Sequence, residues 1–313
     1  MTQTRVTVVG EVLVDLLWRA GASQVVPVPG GSPANVAVGL RRLGRSVTLV
    51  TTWGDDPPGA LIQAHLARAG VTVCRAPGVA PRSMVALAYL GEDGSAEYDF
   101  LASWSPQRLQ VPTDTAVLHT GSLAAVIEPG ASQVLRLCRE LHAEPGKAVV
   151  IDLNVRPAVL PDRVAYWDAC RRLAEVADVA KASDEDLGWL FPHLDTTQAA
   201  RLLLAQGPRL VVVTLGGDGA LAVTTEAEVR VPAPAVTVRD TVGAGDAFQA
   251  ALLDAVADRA DRSTGGGRYS LPTTPEDLTN VLTRCAAAAA VNCTRTGADP
   301  PTTEDLEAAL DFR

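Results

Sequence analysis

A glycine turn, a helix start and a carboxylate share seven residues at Asp240-Thr241-Val242-Gly243-Ala244-Gly245-Asp246. Gly243 and Gly245 reach backbone angles closed to other residues and put no side chain between the main-chain amides and a ligand. Ala235 to Arg239 has the β-branched alternation of a strand, and Ala247 to Ala257 carries apolar residues at helical spacing, so the turn is expected between a strand and a helix. A helix N-terminus carries roughly half a positive charge and unpaired N–H groups, which suits an anion, a phosphoryl group above all. The helix dipole alone would explain Asp246. The alternative is a general base: a carboxylate beside an anion hole takes the proton of an acceptor hydroxyl while the amides stabilise the group in transfer. That chemistry is phosphoryl transfer to an alcohol. It does not come with a Walker loop, because Gly146-Lys147 is followed by Ala148.

Other polar residues stand where strands are expected to end, the side on which open α/β sheets bind ligands. Asp15 lies just beyond the apolar strand Val6–Val9, either as a ligand group or as a solvated turn residue. Gly30-Gly31-Ser32-Pro33-Ala34-Asn35 reads as a helix start, with Ser32 placed to cap and Pro33 at the first helical position. Its glycines permit close ligand approach, and Asn35 offers a donor and an acceptor nearby. Asn154 and Arg156 follow the strand Ala148–Asp152, where an arginine is a phosphate clamp or a lone surface charge; its position favours the clamp. Ser183-Asp184-Glu185-Asp186 reads as an N-cap with acids favoured by the dipole. Leu210–Thr214 runs into Gly216-Gly217-Asp218-Gly219, by itself a weak nucleotide signal.

The elements that must carry these residues alternate between strand and helix, as in an α/β protein. The alternation breaks from Pro81 to Trp104, where Met84–Leu90, a Gly91-Glu92-Asp93-Gly94 turn and Ala96–Phe100 predict a β-hairpin whose edge needs cover. Ala222 to Val231 predicts a strand pair at the far edge. Arg259 to Pro275, polar and glycine-rich, predicts a mobile loop, and Asp277 to Asn292 a last helix whose small-residue run, Cys285 to Val291, suits close helix packing. With 27 Lys and Arg against 36 Asp and Glu, the net charge of −9 argues against a nucleic-acid or anionic-membrane partner. The five cysteines form no Cys-x-x-Cys pair and fit reduced, mostly buried thiols; the four histidines are scattered, His119 reading as a hydrogen-bonded core residue. No apolar segment precedes the first strand, so a cytoplasmic protein without signal peptide is expected.

Residues 240–246 match at every fixed position the Asp-Thr-x-Gly-Ala-Gly-Asp signature of the ribokinase-like, or PfkB, carbohydrate kinases, which the chain resembles along nearly its whole length. Gly30 to Asn35 is similar to that family's N-terminal signature, and Gly54, Asp56 and Gly59 to its Gly-x-Asp-x-x-Gly. Asp152-Leu153-Asn154-Val155-Arg156-Pro157 is similar to fructokinases and 2-keto-3-deoxygluconate kinases within it. The resemblance implies a single domain over 1–313, a doubly wound α/β sandwich around a mainly parallel sheet. A small β lid from about 12–29 and 81–104 would be inserted in it and would pair two subunits into a homodimer. It implies that Asp246 is the base and that the amides of Gly243, Ala244 and Gly245, with Arg156, stabilise the transferring phosphoryl group. Asp15, Gly30, Gly31 and Asn35 would bind the sugar, with Phe100 and Trp104 available to line its pocket. Thr214, Gly216 and Gly219 would face ATP, joined by Asn154 and Ser183, and Asn292 would stand beside adenine. Ser183 and Asp186 replace the Asn and Glu of the family's Asn-x-x-Glu, which organises Mg2+ and phosphate, and Glu185 competes with Asp186 for the metal. A monovalent cation, K+, is implied between Asp240 and the Gly297-Ala298 region.

The implied reaction is transfer of the γ-phosphate of Mg-ATP to a primary hydroxyl, with D-fructose as acceptor and 2-keto-3-deoxygluconate or ribose as rivals. Lys and Arg near the lid, such as Arg75, Arg82 and Arg108, are sparse, which favours a neutral sugar. Two readings of other classes stand against a kinase. A dinucleotide oxidoreductase would want Gly-x-Gly-x-x-Gly in the first βα unit, which lacks it. A catalytically silent sugar sensor on the same fold is opposed by Asp246.

Overall fold

Strands buried on both faces of a parallel sheet read as unbroken apolar runs, and Leu210-Val211-Val212-Val213 is the type here, each residue no more than 1% exposed. The computed structural model describes residues 4–77, 82–91, 96–262 and 270–311. The chain opens with β1 (Arg5–Val9), β2 (Leu13–Arg19), β3 (Val25–Gly30) and α1 (Ser32–Arg42). β4 (Val47–Thr51), α2 (Pro57–Arg68) and β5 (Thr72–Arg75) follow, then the hairpin β6 (Met84–Leu90) and β7 (Ala96–Leu101). Alternation resumes with β8 (Thr115–Gly121), α3 (Gly130–His142), β9 (Ala148–Asp152), α4 (Arg163–Ala174), β10 (Val179–Ser183), α5 (Asp184–Leu190) and α6 (Thr196–Leu204). β11 (Leu210–Thr214), β12 (Ala220–Val223) and β13 (Glu228–Val231) complete the strands, and α7 (Ala244–Arg262), α8 (Pro275–Cys293) and α9 (Thr303–Asp311) end the described chain.

Nine strands make one sheet in the order β13-β12-β11-β10-β9-β8-β1-β4-β5, parallel except for β12, which pairs antiparallel with both β11 and β13. Helices cover both faces. Ile62 and Leu66 of α2, Phe248 and Leu252 of α7, Leu282 of α8 and Leu306 of α9 share one core with α1. Val134 and Leu137 of α3, Tyr166 of α4, Leu187 of α5 and Leu203 of α6 build the other. Each such side chain contributes about 1.5–3 kcal/mol on burial. The expected doubly wound sandwich is therefore present. α1 and α7 approach so closely that a Cβ on Gly39 would come within 2.7 Å of the Ala250 methyl.

The second sheet, β3-β2-β6-β7, contains the expected hairpin; the turn residues Glu92, Asp93 and Gly94, like Pro81, lie outside the described residues. Strand β2 runs parallel to β6, so the segment after β1 and the hairpin form one layer. Asp15 sits inside β2 rather than in a turn. Trp104 is fully buried against Gly130, so it packs the core and lines no pocket.

Two further expectations are corrected. Residues 235–239 have the composition of a strand but pair with no other strand; what holds them is the Arg239 amide, which donates to Cys293 O at 2.8 Å. Helix α7 runs on to Arg262, so the loop expected from Arg259 starts later, and its residues 263–269 lie outside the described residues. Cys138, Cys170 and Cys285 are buried free thiols, and His119 is buried with Nδ1 3.1 Å from Val150 O. Among the described residues no helix is long and apolar enough to cross a membrane.

Candidate active site

Gly243 turns the chain into α7 with φ 78°, and a Cβ there would lie 2.6 Å from the Ala298 methyl, so only glycine fits. The turn is pinned from several sides. Asp240 accepts from Val242 N at 3.0 Å and from Gly297 N at 2.7 Å; Asp240 N itself reaches Cys293 O, and Asn292 Nδ2 donates to Val242 O at 2.8 Å. Asn292, expected beside adenine, is completely buried and grips the glycine turn, with Oδ1 unpartnered. Asp240 acts here as a brace, and a cation placed on it would compete with two main-chain amides. Of the amides expected to meet an anion, Ala244 N donates to Thr241 O at 3.1 Å, whereas those of Gly243, Gly245 and Asp246 have no partner. Free donors at the start of a long helix suit a phosphoryl group.

Both oxygens of Asp246 are engaged by α1. Ser32 Oγ donates to Oδ1 at 2.6 Å and Asn35 Nδ2 to Oδ2 at 2.8 Å. Ser32, expected as the helix cap, is the first helical residue instead; Gly31 takes the cap position and makes no side-chain cap bond. Asn35, expected among the sugar ligands, bonds to the carboxylate that the resemblance makes the base.

The lid sheet presents Asp15 to the same space. Strand register places Asp15, Val28, Ala86 and Phe100 in one row on one face, and Gly30 must lack a side chain because its Cβ would lie 2.7 Å from Asp15 Oδ2. Burial pushes the Asp15 carboxyl up to about 6, with Arg156 opposing and the Asp246 carboxylate adding to the rise. The two carboxylates and Arg156 thus share one electrostatic neighbourhood.

Arg156 is positioned through its loop. Its main-chain N–H donates to Tyr166 Oη at 2.9 Å, and the preceding Val155 N donates to Asp186 Oδ1 at 2.7 Å. Asp186 Oδ2 accepts from Ser183 N while Ser183 Oγ accepts from Asp186 N, a reciprocal cap at the start of α5. Burial raises the Asp186 carboxyl above the usual range. Asp186, expected at the metal, has both oxygens committed to the main chain, and Glu185 is exposed. Among the described residues no three His, Cys, Asp or Glu side chains form a metal cage. Mg2+ does not demand one, since it keeps several waters and binds mainly through substrate phosphates. Asn154 donates to Ser122 Oγ at 3.0 Å, and among the described residues these two are the non-glycine ones at positive φ, 40° and 55°. Backbone strain of this kind concentrates at functional sites.

Toward β11, Thr214 and Ser183 are paired across neighbouring strands. Gly216, at φ 54°, and Gly217 face open space, whereas a Cβ on Gly219 would strike Val231 O. Gly216 is therefore open to a ligand, while Gly219 serves the turn. Open glycines at β11 and free amides at α7 fit the phosphates of a nucleotide.

Sequence reasoning missed a buried ion pair below this surface. Lys181 Nζ donates to Asp152 Oδ2 at 2.6 Å, the side chains 5% and 3% exposed, and lies 3.8 Å from where a Cβ of Gly245 would be. Asp152 Oδ1 has no partner; burial raises its carboxyl, Lys181 opposes, and Asp246 adds to the rise. The available signal was a lysine at the centre of a five-residue strand, flanked on each side by an alanine.

Comparison with known proteins agrees with this geometry. Residues 3–305 match the family described as pfkB family carbohydrate kinase. A fructokinase of Rhizobium leguminosarum bv. trifolii is 33% identical over 256 residues, 78% of this chain and 77% of the relative. The fructokinase of Vibrio cholerae O395, solved in a fructose, ADP and calcium ion bound form, superposes with a TM-score of 0.81 at 27% identity, covering 98% of this chain and 99% of that one. The fructokinase of Xylella fastidiosa, solved with bound ATP, gives 0.83 at 26% identity and 99% coverage of both chains. The chain belongs to the pfkB family of carbohydrate kinases, phosphotransferases whose acceptor is an alcohol hydroxyl.

Proposed function

We propose that this kinase transfers the γ-phosphate of Mg-ATP to the primary hydroxyl of D-fructose, giving fructose 6-phosphate. The observation that carries the reading is the Asp246 carboxylate, fixed at the start of α7 beside the free amides of Gly243 and Gly245 and electrostatically coupled to Asp15 on the lid. Asp15 and Asn35 bind and orient the sugar hydroxyls. Asp246 removes the proton of the attacking hydroxyl, whose oxygen bonds to the γ-phosphorus as the bond to ADP breaks. The amides of Gly243 and Gly245, with Arg156, stabilise the charge in transfer, as expected where positioning and electrostatics supply most of the catalysis. Mg2+ would neutralise charge on the phosphates. Closing the lid excludes the water that would otherwise accept the phosphoryl group.

Three observations favour fructose. The relatives at about 30% identity are fructokinases; the Vibrio cholerae neighbour was solved with fructose; and cations near the lid are sparse, which disfavours the carboxylate of 2-keto-3-deoxygluconate. The chain reads as one domain with its lid inserted, working in the cytoplasm, where free thiols stay reduced. The lid's apolar exposure, with Trp18 at 43%, Tyr89 at 39% and Leu101 at 78%, supports pairing with a second copy of the chain. ADP release with Mg-ATP against fructose, 2-keto-3-deoxygluconate, ribose and adenosine tests the reading. Selective turnover of fructose is expected. Turnover of another member alone would discard fructose, and silence with sugar binding intact would point to a sensor.

A further inference from the structure

Ser32 begins α1, yet its hydroxyl serves a different helix. It donates to Asp246 Oδ1 at 2.6 Å, within the range of a charge-assisted bond from a hydroxyl to a carboxylate. Asn35, one turn further along the same face, holds the other oxygen. Each carboxylate oxygen has a second lone pair, so two neutral donors fix the group while an accepting site remains.

The neighbours make that neutrality matter. Asp15 on β2 and Asp152 on β9 are like charges acting in this region; Arg156, after β9, and Lys181 on β10 are the opposing cations. From α1 come only the hydroxyl and the amide. The backbone around Ser32 is held rigidly: Pro33 sits against the Cα of Gly10, and a Cβ on Gly31 would meet Glu11 O and Val12 Cα at 3.2 Å. Ser32 is thereby fixed before any substrate arrives.

We propose that Ser32 is a positioning residue for phosphoryl transfer: its hydroxyl locks the Asp246 carboxylate in one orientation, aimed at the acceptor hydroxyl. The proposal rests on Asp246 being the base. A carboxylate freed to rotate meets the hydroxyl in a productive pose less often, so losing the donor should lower kcat more than it raises sugar KM.

The test compares the intact enzyme with Ser32→Ala, Ser32→Cys and Ser32→Thr, measuring kcat and sugar KM at saturating ATP. Ser32→Ala should lower kcat about tenfold with sugar KM nearly unchanged. Ser32→Cys, a weak donor, should fall between. Ser32→Thr keeps the hydroxyl and should restore most of the rate. An unchanged kcat in Ser32→Ala, a loss confined to KM, or Ser32→Thr no better than Ser32→Ala at equal thermal stability, overturns the proposal. If Ser32→Ala does not fold, the Ser, Thr, Cys order of kcat decides the matter in the same way. Asp246→Asn run alongside separates the two failures: its retained turnover would remove the base itself, whereas its inactivity with an unchanged Ser32→Ala kcat would remove only Ser32.

Discussion

Asp246 and Asp15 are prepared for opposite tasks by their surroundings. Asp246 receives a donor on each oxygen, while Asp15 is pushed up to about 6 chiefly by burial. Replacing Asp246 with Asn should cut kcat by roughly 10³-fold, the scale of a general base, with sugar affinity by calorimetry nearly unchanged. As pH falls through about 6, Asp15 takes up a proton and ceases to be a charged acceptor, so KM for the sugar should rise; in Asp15→Asn it should be high at every pH. The same shift has a stability sign. Between the ordinary 3.8 and about 6 the folded chain binds more protons than the unfolded, so stability falls as pH rises through that window. Asp15→Asn should therefore raise Tm at pH 8 and leave it nearly unchanged at pH 3.5. A Tm at pH 8 below that of the parent protein would contradict this account. At this scale the sequence was legible where chemistry is local: Asp246 follows its glycine turn within a few residues. It was opaque where a partner is distant, since nothing near Ser32 announces a carboxylate 214 positions away, or near Lys181 an aspartate 29 positions back.

Elements fail and succeed in the reading for the same reason, the distance over which their cause acts. Capped starts such as Thr274 before α8 and Asp162 before α4 are short-range and follow ordinary cap chemistry. Residues 235–239 misled because β-branched alternation specifies an extended backbone, not a neighbouring strand to pair with. Asn292 gave no sign of its bond to the turn, because its partner, Val242 O, lies 50 positions earlier in the chain. Asp186 is expected to act as a brace between α5 and the Arg156 loop. Asp186→Ala should cost about 1–2 kcal/mol of stability and lower kcat, with the Mg2+ concentration for half-maximal rate unchanged. A large rise in that Mg2+ requirement would return Asp186 to the metal. Gly243→Ala should lose about 10²-fold in kcat, because the new methyl meets Ala298 and displaces the amides; Gly217→Ala, which meets nothing within 4 Å, should fold normally.

At the scale of the molecule, alternating strands and helices made the layered sandwich readable, and the break in that rhythm made the hairpin readable. The union of β2 with β6 left no local mark, because parallel pairing across so long a stretch of chain carries none, and was expected only through the resemblance. Trp18 and Leu101 lie on the lid face turned away from Asp15, with Trp18 against Tyr89 at 6.3 Å between ring centroids. If two lids pair, Trp18→Lys with Leu101→Lys should halve the sedimenting mass without touching the Asp15 row. A mass unchanged from the parent would reject pairing through that face. The glycine turn carries a consequence for synthesis. Its shape is held by Asn292, by Cys293 O and by Gly297 N, all from the last stretch of the chain. A nascent chain that has finished its whole sheet still lacks the scaffold of its phosphate site. The phosphate turn thus takes its shape only once α8 and the residues just after it are made, a stretch that also completes one face of the core.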